Sequence, residues 1–395
     1  MNTSLPDVQL FLRPGVVELS WGHPDLDLLP VEGLSRAAQL ALERDGPSAL
    51  SYGAEQGPGI LIEQLCARLG RLEGERAAAL PEQMMITGGV SQALDMLCTV
   101  LTHPGDVVLV ESPTYHLALR VLRDHGLELV PVPTDDQGLR MDALEDVLAS
   151  LHRQGRRARL LYVVPTFNNP TGATLELQRR QALVALVRRA RTAGSPGLLL
   201  LEDDVYHELW YDAPPPPSLY SLAQAGPVIR LGSFSKVLAP GLRLGWMLAD
   251  PQVVQRCTGS GMLDSGGGVN HFTAHVVAAF VELGLLDQLV ETLRATYRQR
   301  RDVLLAALSD HLPKRCTWKR PGGGFFVWLR LPPGVDTTAL LPVAESTGMS
   351  YVPGARFCTD GGGERYCRLA FTLVSPQELE EGARRLGTAL RVYQT

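Results

Sequence analysis

Several features that mark specialised classes of protein are missing from this chain of 395 residues. Its six cysteines include no C-x-x-C pair, so we expect neither a zinc cluster nor a disulfide framework, and reduced thiols in a cytoplasmic protein fit best. The first ten residues, MNTSLPDVQL, lack the basic start and apolar run of a signal peptide, and no window is apolar for long enough to span a membrane. The net charge of −5 gives no basic excess, so we expect no nucleic-acid partner.

Two nucleotide-binding fingerprints are missing as well. Neither the G-x-G-x-x-G of a dinucleotide fold nor the G-x-x-x-x-G-K of a nucleotide triphosphatase is present, which argues against a nicotinamide-dependent dehydrogenase. Arginines concentrate in RRQALVALVRRARTAG, where apolar residues recur at helical spacing, and this favours a solvated helix face over a nucleic-acid patch. No second cluster of histidines and carboxylates at ligand spacing supports a metal site.

What is present is a regular alternation of strands and helices from about Gln83 to Asp250. Short runs rich in Val, Ile and Leu read as buried strands: QMMI, DVVLVE, LELVPVP, RLLYVVP, GLLLLEDD, PVIRLGS and LGWMLA. Strands that are apolar on both faces and separated by helices predict an α/β domain, with a mainly parallel sheet covered by helices.

The pattern changes from about Leu285 onward. A long helix candidate, a proline-glycine break, the strands FFVWLRL and RYCRLAFT, and a final helix from about Pro376 predict a smaller α+β domain. We therefore divide the chain into an N-terminal arm that belongs with the small domain (1–45), a large domain (46–284) and a small C-terminal domain (285–395). The arm holds few clear elements.

The stretch VIRLGSFSKVLAPGLRLGW concentrates the first group of chemically active side chains. Lys236 follows a buried strand, at the edge where a parallel sheet presents its ligands, although a lone lysine in a loop is more often a surface residue. Ser233 and Ser235 add hydroxyl groups, and Arg243 adds a planar cation suited to phosphate. Together they suggest one ligand with a phosphate and an electrophilic carbon, and pyridoxal 5′-phosphate is such a ligand.

That cofactor makes demands on other parts of the chain. Its pyridine nitrogen needs a carboxylate, and the strand LLLLEDD ends in three acids, although a carboxylate there could also cap a helix or bind a metal. Its phenolate oxygen needs donors, which Asn169 in PTFNNPTG and Tyr206 could supply, while the same NPTG is also a tight turn. Its phosphate needs backbone N–H groups, and Gly89 to Ser91 open a helix after a strand. Arg368, in RYCRLAFT, is either an exposed edge residue or a clamp for a substrate carboxylate.

These pieces in this order, SFSK with Arg243 following, NPTG and D-x-x-Y, resemble the fold-type I pyridoxal-phosphate aminotransferases. The resemblance covers nearly the whole chain. It points in particular to the group of 2-aminoadipate, kynurenine and broad-specificity aromatic aminotransferases, and to the aminotransferase-like half of MocR-type regulators. It implies a ping-pong enzyme that moves an amino group from an L-amino acid to a 2-oxo acid, with 2-oxoglutarate as the expected acceptor.

The resemblance also implies a role for each matched position. Lys236 becomes the Schiff-base lysine and proton carrier, and the D-x-x-Y spacing selects Asp203 as the partner of the pyridine nitrogen. The other implied roles are Asn169 and Tyr206 on the phenolate oxygen; Ser233, Ser235, Arg243 and the backbone of Gly89, Val90 and Ser91 on the phosphate; Tyr115 stacked on the ring; Tyr52 on the phosphate of a neighbouring subunit, hence a homodimer with shared sites; Arg368 on the substrate α-carboxylate; and Gly22 and Asn169 near the substrate.

Two departures from the family pattern bear on the site. Val90 stands where many relatives carry a serine, which removes one hydroxyl from the phosphate site. An amino-terminal helix that helps some relatives choose the substrate side chain is missing or shortened, so the sequence leaves the amino donor open.

Two other functions use the same residues. A lyase or decarboxylase acting on an amino acid would hold the cofactor identically, because the reaction depends on which bond at Cα stands perpendicular to the ring. A non-enzymatic regulator that binds the cofactor would need a DNA-binding module of roughly 60–80 residues, for which we expect too little room before the large domain.

Overall fold

The chain forms one large sheet covered by helices and a smaller sheet near its carboxyl end; the computed structural model describes residues 8–74, 79–192, 197–224 and 226–394. The strands are β1 (Val17–Glu18), β2 (Met84–Thr87), β3 (Val107–Ser112), β4 (Glu128–Asp135), β5 (Gly138–Leu139), β6 (Ala158–Val163), β7 (Leu199–Asp203), β8 (Val228–Ser233), β9 (Gly245–Leu248), β10 (Phe326–Arg330), β11 (Met349–Ser350), β12 (Val352–Pro353) and β13 (Tyr366–Ala370).

Helices connect most of these strands. They are α1 (Val31–Asp45), α2 (Gly59–Glu73), α3 (Val90–Leu101), α4 (His116–Asp124), α5 (Met141–Arg153), α6 (Leu177–Thr192), α7 (Leu219–Ala223), α8 (Pro251–Thr258), α9 (Gly261–Gly266), α10 (His271–Glu282), α11 (Leu285–His311), α12 (Thr337–Ser346) and α13 (Pro376–Gln394). Short 3-10 turns at Pro240–Leu242 and Gly354–Phe357 lie next to the candidate site.

The large sheet has the strand order β2-β9-β8-β7-β6-β3-β4-β5. The pairs from β8 through β4 are parallel, and β9 runs antiparallel to both of its neighbours. Alternate residues of one strand enter two separate apolar cores, Leu161 on one face and Tyr162 on the other. Because both faces are covered, the strands are apolar throughout, and the prediction of a mainly parallel α/β sheet is confirmed.

The carboxyl-terminal part contains the second sheet, in which β13 pairs antiparallel with β10 and β12. The long helix predicted after Leu285 is α11, and the final helix begins at Pro376 as predicted. The strands and helices predicted after Leu285 are therefore present in the structure. The division into domains at residues 45 and 284 stays a prediction.

The first 45 residues differ from the expectation of an arm with few elements. Residues 31–45 form the helix α1, which packs against α10, where Phe280 lies so close to Gly33 that an added Cβ would approach its ring to 2.9 Å. The buried face of α1 is lined by alanines, Ala37 and Ala41, and therefore lacks the large apolar side chains that mark a helix in sequence. Upstream, β1 pairs in parallel with β11, so this segment contacts both parts of the molecule.

The arginine-rich stretch is the helix α6, except for residues 193 and 194, which lie outside the described residues. Arg179 pairs with Asp135, whereas Arg180 is fully buried and donates to the carbonyl oxygens of Pro165 and Leu175, so this helix face is only partly solvated.

Of the helices in the described ranges, none combines the length and the apolar character needed to cross a bilayer. All six cysteines are free thiols.

Candidate active site

The predicted site residues follow three neighbouring parallel strands. Asn169 comes after β6, Asp203 ends β7, and Lys236 follows β8. Because the carboxyl ends of parallel strands meet at one edge of the sheet, the fold places these three side chains together. The small sheet adds Arg368, from β13, at the same place.

Lys236 is held by the arm of the chain. Its Nζ donates to the carbonyl oxygen of Gly22 at 2.8 Å and lies 5.3 Å from the centre of the Phe325 ring. Burial, and after it the nearby Arg368, lower the pKa of Lys236 to about 8. Since an uncharged amine is the form that attacks a carbonyl or accepts a proton, this environment favours reactivity. Gly22 allows the approach because any Cβ there would lie 2.7 Å from Phe326 Cζ.

Asp203 is buried and presents one unpaired oxygen. Tyr162 donates its hydroxyl to Asp203 Oδ2 at 2.6 Å, while Oδ1 has no hydrogen-bond partner within the described residues. Burial raises the pKa of Asp203 to about 6, against the lowering effect of the Tyr162 hydrogen bond. A buried acceptor without a donor is costly unless a ligand supplies one, so this oxygen fits the protonated nitrogen of a pyridine ring.

Asn169 links two further predicted residues. Its Oδ1 accepts from Arg368 Nη1 at 3.0 Å, and its side chain lies beside the Tyr206 hydroxyl, on which it has a pKa-lowering effect. Arg368 also donates Nη2 to the carbonyl oxygen of Ser20 at 2.7 Å. The structure therefore brings Asn169, Tyr206 and Arg368 into one cluster, as the sequence predicts.

Arg368 is a buried cation rather than an exposed edge residue. Its guanidinium carbon lies 4.2 Å from the ring centre of Phe326 and 5.1 Å from that of Phe357, and its Nε has no partner among the residues described. Burial lowers the pKa of Arg368 to about 10, which still leaves it charged at neutral pH. A buried charged fork with a free donor suits a carboxylate ligand.

The predicted phosphate-binding segments meet at glycines. Gly89 caps α3 with φ +87°, and a Cβ on it would lie 3.2 Å from Arg243 Nη2. Gly245 pairs with both Thr87 and Ser233, and a Cβ on it would lie 2.6 Å from the Gly232 oxygen and 2.9 Å from Gly89 Cα. The close approach leaves a cradle of backbone N–H groups at a helix N-terminus beside an arginine, which fits a phosphate group.

The remaining predicted residues divide into those near this cluster and one that is remote from it. Ser233 Oγ accepts from the backbone N–H of Ser235 at 3.0 Å, within the loop that carries Lys236. Tyr115 precedes α4, and burial, followed by the charge of Asp203, raises its pKa to about 12. Val90 and Ser91 form the first turn of α3, where Ser91 is exposed. Tyr52 lies on the surface with 86% exposure and joins no contact of the cluster on its own chain.

Three residues of the site carried no role in the sequence prediction. Tyr162 was part of a strand only, although a tyrosine among the leucines and valines of LLYVV is a signal for a buried hydroxyl that needs a partner. Phe326 and Phe357 enclose Arg368 from two distant parts of the chain, and sequence spacing contains no signal for such a pair. In the part of the chain that the structure describes, no group of three or more His, Cys, Asp or Glu side chains could hold a metal ion.

A buried acid for a ring nitrogen, a reactive lysine, donors for a phenolate oxygen and a glycine-lined phosphate cradle define a pyridoxal-phosphate enzyme of fold type I. The family model for aminotransferase class I and II matches residues 14–386, and the chain belongs to this family. It is a pyridoxal-phosphate-dependent aminotransferase, acting on amino acid and 2-oxo acid substrates, and the family resemblance drawn from the sequence is confirmed.

Its relatives include enzymes with different donors in their names. The chain is 35% identical to the 2-aminoadipate transaminase of Thermus thermophilus, over 97% of this chain and 92% of the relative. It is 34% identical to aromatic-amino-acid aminotransferase 1 of Thermococcus litoralis, over 95% of this chain and 88% of the relative. The crystal structure of Pyrococcus horikoshii kynurenine aminotransferase superposes with a TM-score of 0.90 at 34% identity, covering 96% of this chain and 92% of that one.

Proposed function

We propose that Lys236 is the covalent attachment point and the proton carrier of this aminotransferase. When bound, pyridoxal 5′-phosphate supplies an aldehyde that bonds to amines and a protonated ring that withdraws electrons from the substrate. The observation that carries the proposal is the convergence of Lys236, Asp203, Asn169 and Arg368 at one edge of the large sheet. With its lowered pKa, Lys236 Nζ would be the base that removes the proton from the substrate Cα.

The other residues of the site are proposed to hold and orient the cofactor. Asp203 Oδ1 would accept the ring N–H, while Tyr162 keeps the carboxylate in place through Oδ2. Asn169 and Tyr206 would donate to the phenolate oxygen, and Tyr115 would pack on the ring. The phosphate would be held by Arg243, Ser233, Ser235 and the backbone of Gly89, Val90 and Ser91, where Val90 can contribute only its N–H.

Arg368 is proposed to bind the substrate α-carboxylate through a two-pronged ion pair. The carbonyl oxygens of Ser20 and Gly22 lie beside Arg368 and Lys236, so this part of the arm forms the wall against which the substrate is placed. The rings of Phe326 and Phe357 exclude water from the guanidinium, which strengthens its attraction to a carboxylate. We take 2-oxoglutarate as the first acceptor to test, with aromatic amino acids, kynurenine and 2-aminoadipate as the first donors, since relatives carry these names.

We further propose a homodimer located in the cytoplasm. The exposed ring of Tyr52 supports the dimer, because on a subunit interface it would reach the phosphate of the neighbouring site. The six free thiols support a reducing compartment.

The chain offers a sharp test because its only three lysines are Lys236, Lys314 and Lys319. We expect borohydride reduction of the protein loaded with pyridoxal 5′-phosphate to fix the cofactor on the peptide of Lys236, and Lys236→Ala to abolish both the adduct and transamination. Lys319→Ala, at an exposed lysine that pairs with Asp136, is the matched control and should retain both. An adduct on Lys314 or Lys319 alone, or normal turnover of Lys236→Ala, would refute the assignment.

Cofactor recycling that depends on an added 2-oxo acid separates transamination from a lyase or decarboxylase reaction.

A further inference from the structure

A second buried carboxyl group lies at the same edge of the sheet and has no part in the chemistry above. Glu111, near the end of β3, is 2% exposed. Its Oε2 accepts two hydrogen bonds, from the backbone N–H of Val164 at 2.8 Å and from Asn168 Nδ2 at 3.1 Å. Both donors belong to the segment that follows β6 and leads to Asn169.

Asn168 is the residue through which Glu111 meets the site. Its Oδ1 accepts from the backbone N–H of Thr171 at 3.2 Å and from the Thr171 hydroxyl at 3.0 Å, so its side chain spans the turn. Its backbone also pairs with Ala173 and Gly172. The adjacent residue, Asn169, is the one that contacts Arg368 and Tyr206. Glu111 therefore anchors the first residue of a turn whose second residue faces the cofactor and the substrate.

The charged and titratable groups that face Glu111 are Asp203 and Tyr162. Burial, opposed by the two N–H donors, raises the pKa of Glu111 to about 8, and the charge of Asp203 adds to the rise. A protonated Glu111 still accepts both hydrogen bonds through Oε2. It places no second negative charge beside Asp203, which must carry the charge that a protonated ring nitrogen requires.

We propose that Glu111 is a positioning residue of this aminotransferase: by holding Asn168 from β3, it sets Asn169 against Arg368 and Tyr206. The inference rests on the proposed function, because it takes Asn169 and Arg368 to contact the cofactor and the substrate. Neutral glutamine in place of Glu111 keeps an oxygen for both donors, whereas leucine fills the space and accepts nothing.

The molecule contains a matched control for the loss of a buried acceptor. Glu202, in β7, is also fully buried and accepts two backbone N–H groups, from Leu219 at 2.7 Å and Tyr220 at 2.9 Å. These bonds hold the start of α7 and do not involve Asn168 or Asn169. Glu202→Leu removes as many hydrogen bonds from a buried carboxyl group that approaches the turn segment only through Arg180, which lies 4.0 Å from Glu202 and donates to the carbonyl oxygen of Pro165.

The test compares Glu111→Leu, Glu111→Gln and Glu202→Leu in the full-length protein. The readouts are KM and kcat for the donor found in the screen, the dissociation constant of pyridoxal 5′-phosphate from the cofactor-free protein, and Tm. We expect Glu111→Leu to raise KM and the cofactor dissociation constant about five- to tenfold, the size of one or two lost hydrogen bonds, with a smaller change in kcat. Glu111→Gln should stay within about twofold of wild type in both constants, and Glu202→Leu should lower Tm and leave them unchanged.

Three results would overturn the inference: unchanged constants in Glu111→Leu, the same increases in Glu202→Leu, or failure of Glu111→Gln to restore them. If Glu111→Leu does not fold, Asn168→Ala removes the Glu111–Asn168 hydrogen bond from its other end, together with the two that Asn168 accepts from Thr171, and must show increases at least as large. Labelling of Lys236 in the wild type is read separately, so a failure of this inference is distinct from a failure of the proposed function.

Discussion

Strand β7 ends in Glu202 and Asp203, and Asp204 follows directly, so that neighbouring acids lie on opposite faces of the sheet in very different surroundings. Asp203 points to the candidate site, where its partner is the neutral hydroxyl of Tyr162. Asp204 points to the opposite face, where its Oδ2 accepts from Arg230 Nε at 2.9 Å and Nη2 at 2.7 Å, and His207 lies 3.1 Å away. Both carboxyl groups are about equally buried, and neither Oδ1 has a hydrogen-bond partner in the described part of the chain.

An arginine partner is thus what distinguishes Asp204 from Asp203, the proposed partner of the ring nitrogen. Although burial opposes it, His207 and Arg230 hold the pKa of Asp204 below its ordinary value. Burial without an arginine partner instead raises the pKa of Asp203 to about 6. A buried carboxyl group without a cation is stabilised when a ligand brings a positively charged hydrogen-bond donor. Asp204 already has such a donor in Arg230.

The most direct test of this difference between Asp203 and Asp204 replaces each aspartate with asparagine. We expect Asp203→Asn to lower kcat/KM for transamination by about 10³-fold, because an amide does not keep the ring nitrogen protonated. Asp204→Asn should stay within about threefold of wild type, since its hydrogen bonds lie on the far face. Steady-state kinetics with saturating cofactor measures both. Equal losses in the two variants would show that the faces do not differ in function.

Removing Arg230, the cation on the far face, tests the same difference by its effect on stability. Arg230 pairs with both Asp204 and Glu73, so Arg230→Met removes the arginine from two buried carboxylates and leaves them only His207 as a partner of opposite charge. We expect the free energy of unfolding to fall by about 3–5 kcal/mol, with KM for the amino donor unchanged. Urea denaturation followed by circular dichroism, together with kinetics on the folded protein, gives the two values. A variant that keeps full stability but loses activity would contradict the structural role of this cluster.

The two faces also show where sequence reasoning reaches its limit. The apolar runs identify the strands because a covered parallel sheet is apolar throughout, and the residues after them follow to one edge by geometry. Because these strands are apolar on both faces, their pattern does not indicate which face contains the site. The choice of Asp203 among Glu202, Asp203 and Asp204 therefore depends on the family spacing. Partners that come from other elements, such as Tyr162 for Asp203 or Phe357 for Arg368, depend on tertiary packing, of which the sequence has no local signal.

The pH dependence of Lys236 gives the finest test of the contrast, because, besides burial, only arginines on the site face, Arg368 before Arg243, lower its pKa. In the cofactor-free protein the pKa of Lys236 is lowered to about 8, so the reactive neutral amine accumulates as the pH rises through 8 rather than through the ordinary range of a lysine. Reductive methylation with formaldehyde, followed by mass spectrometry, should show Lys236 reaching its maximal rate at lower pH than the exposed Lys319 in the same sample. Arg368 is a cation that lowers this pKa, so Arg368→Met should move the rise of Lys236 to higher pH, while Arg230→Met should leave it in place. If Lys236 follows the profile of Lys319, or if both arginine variants shift it equally, the environment of the amine is not set by the site face.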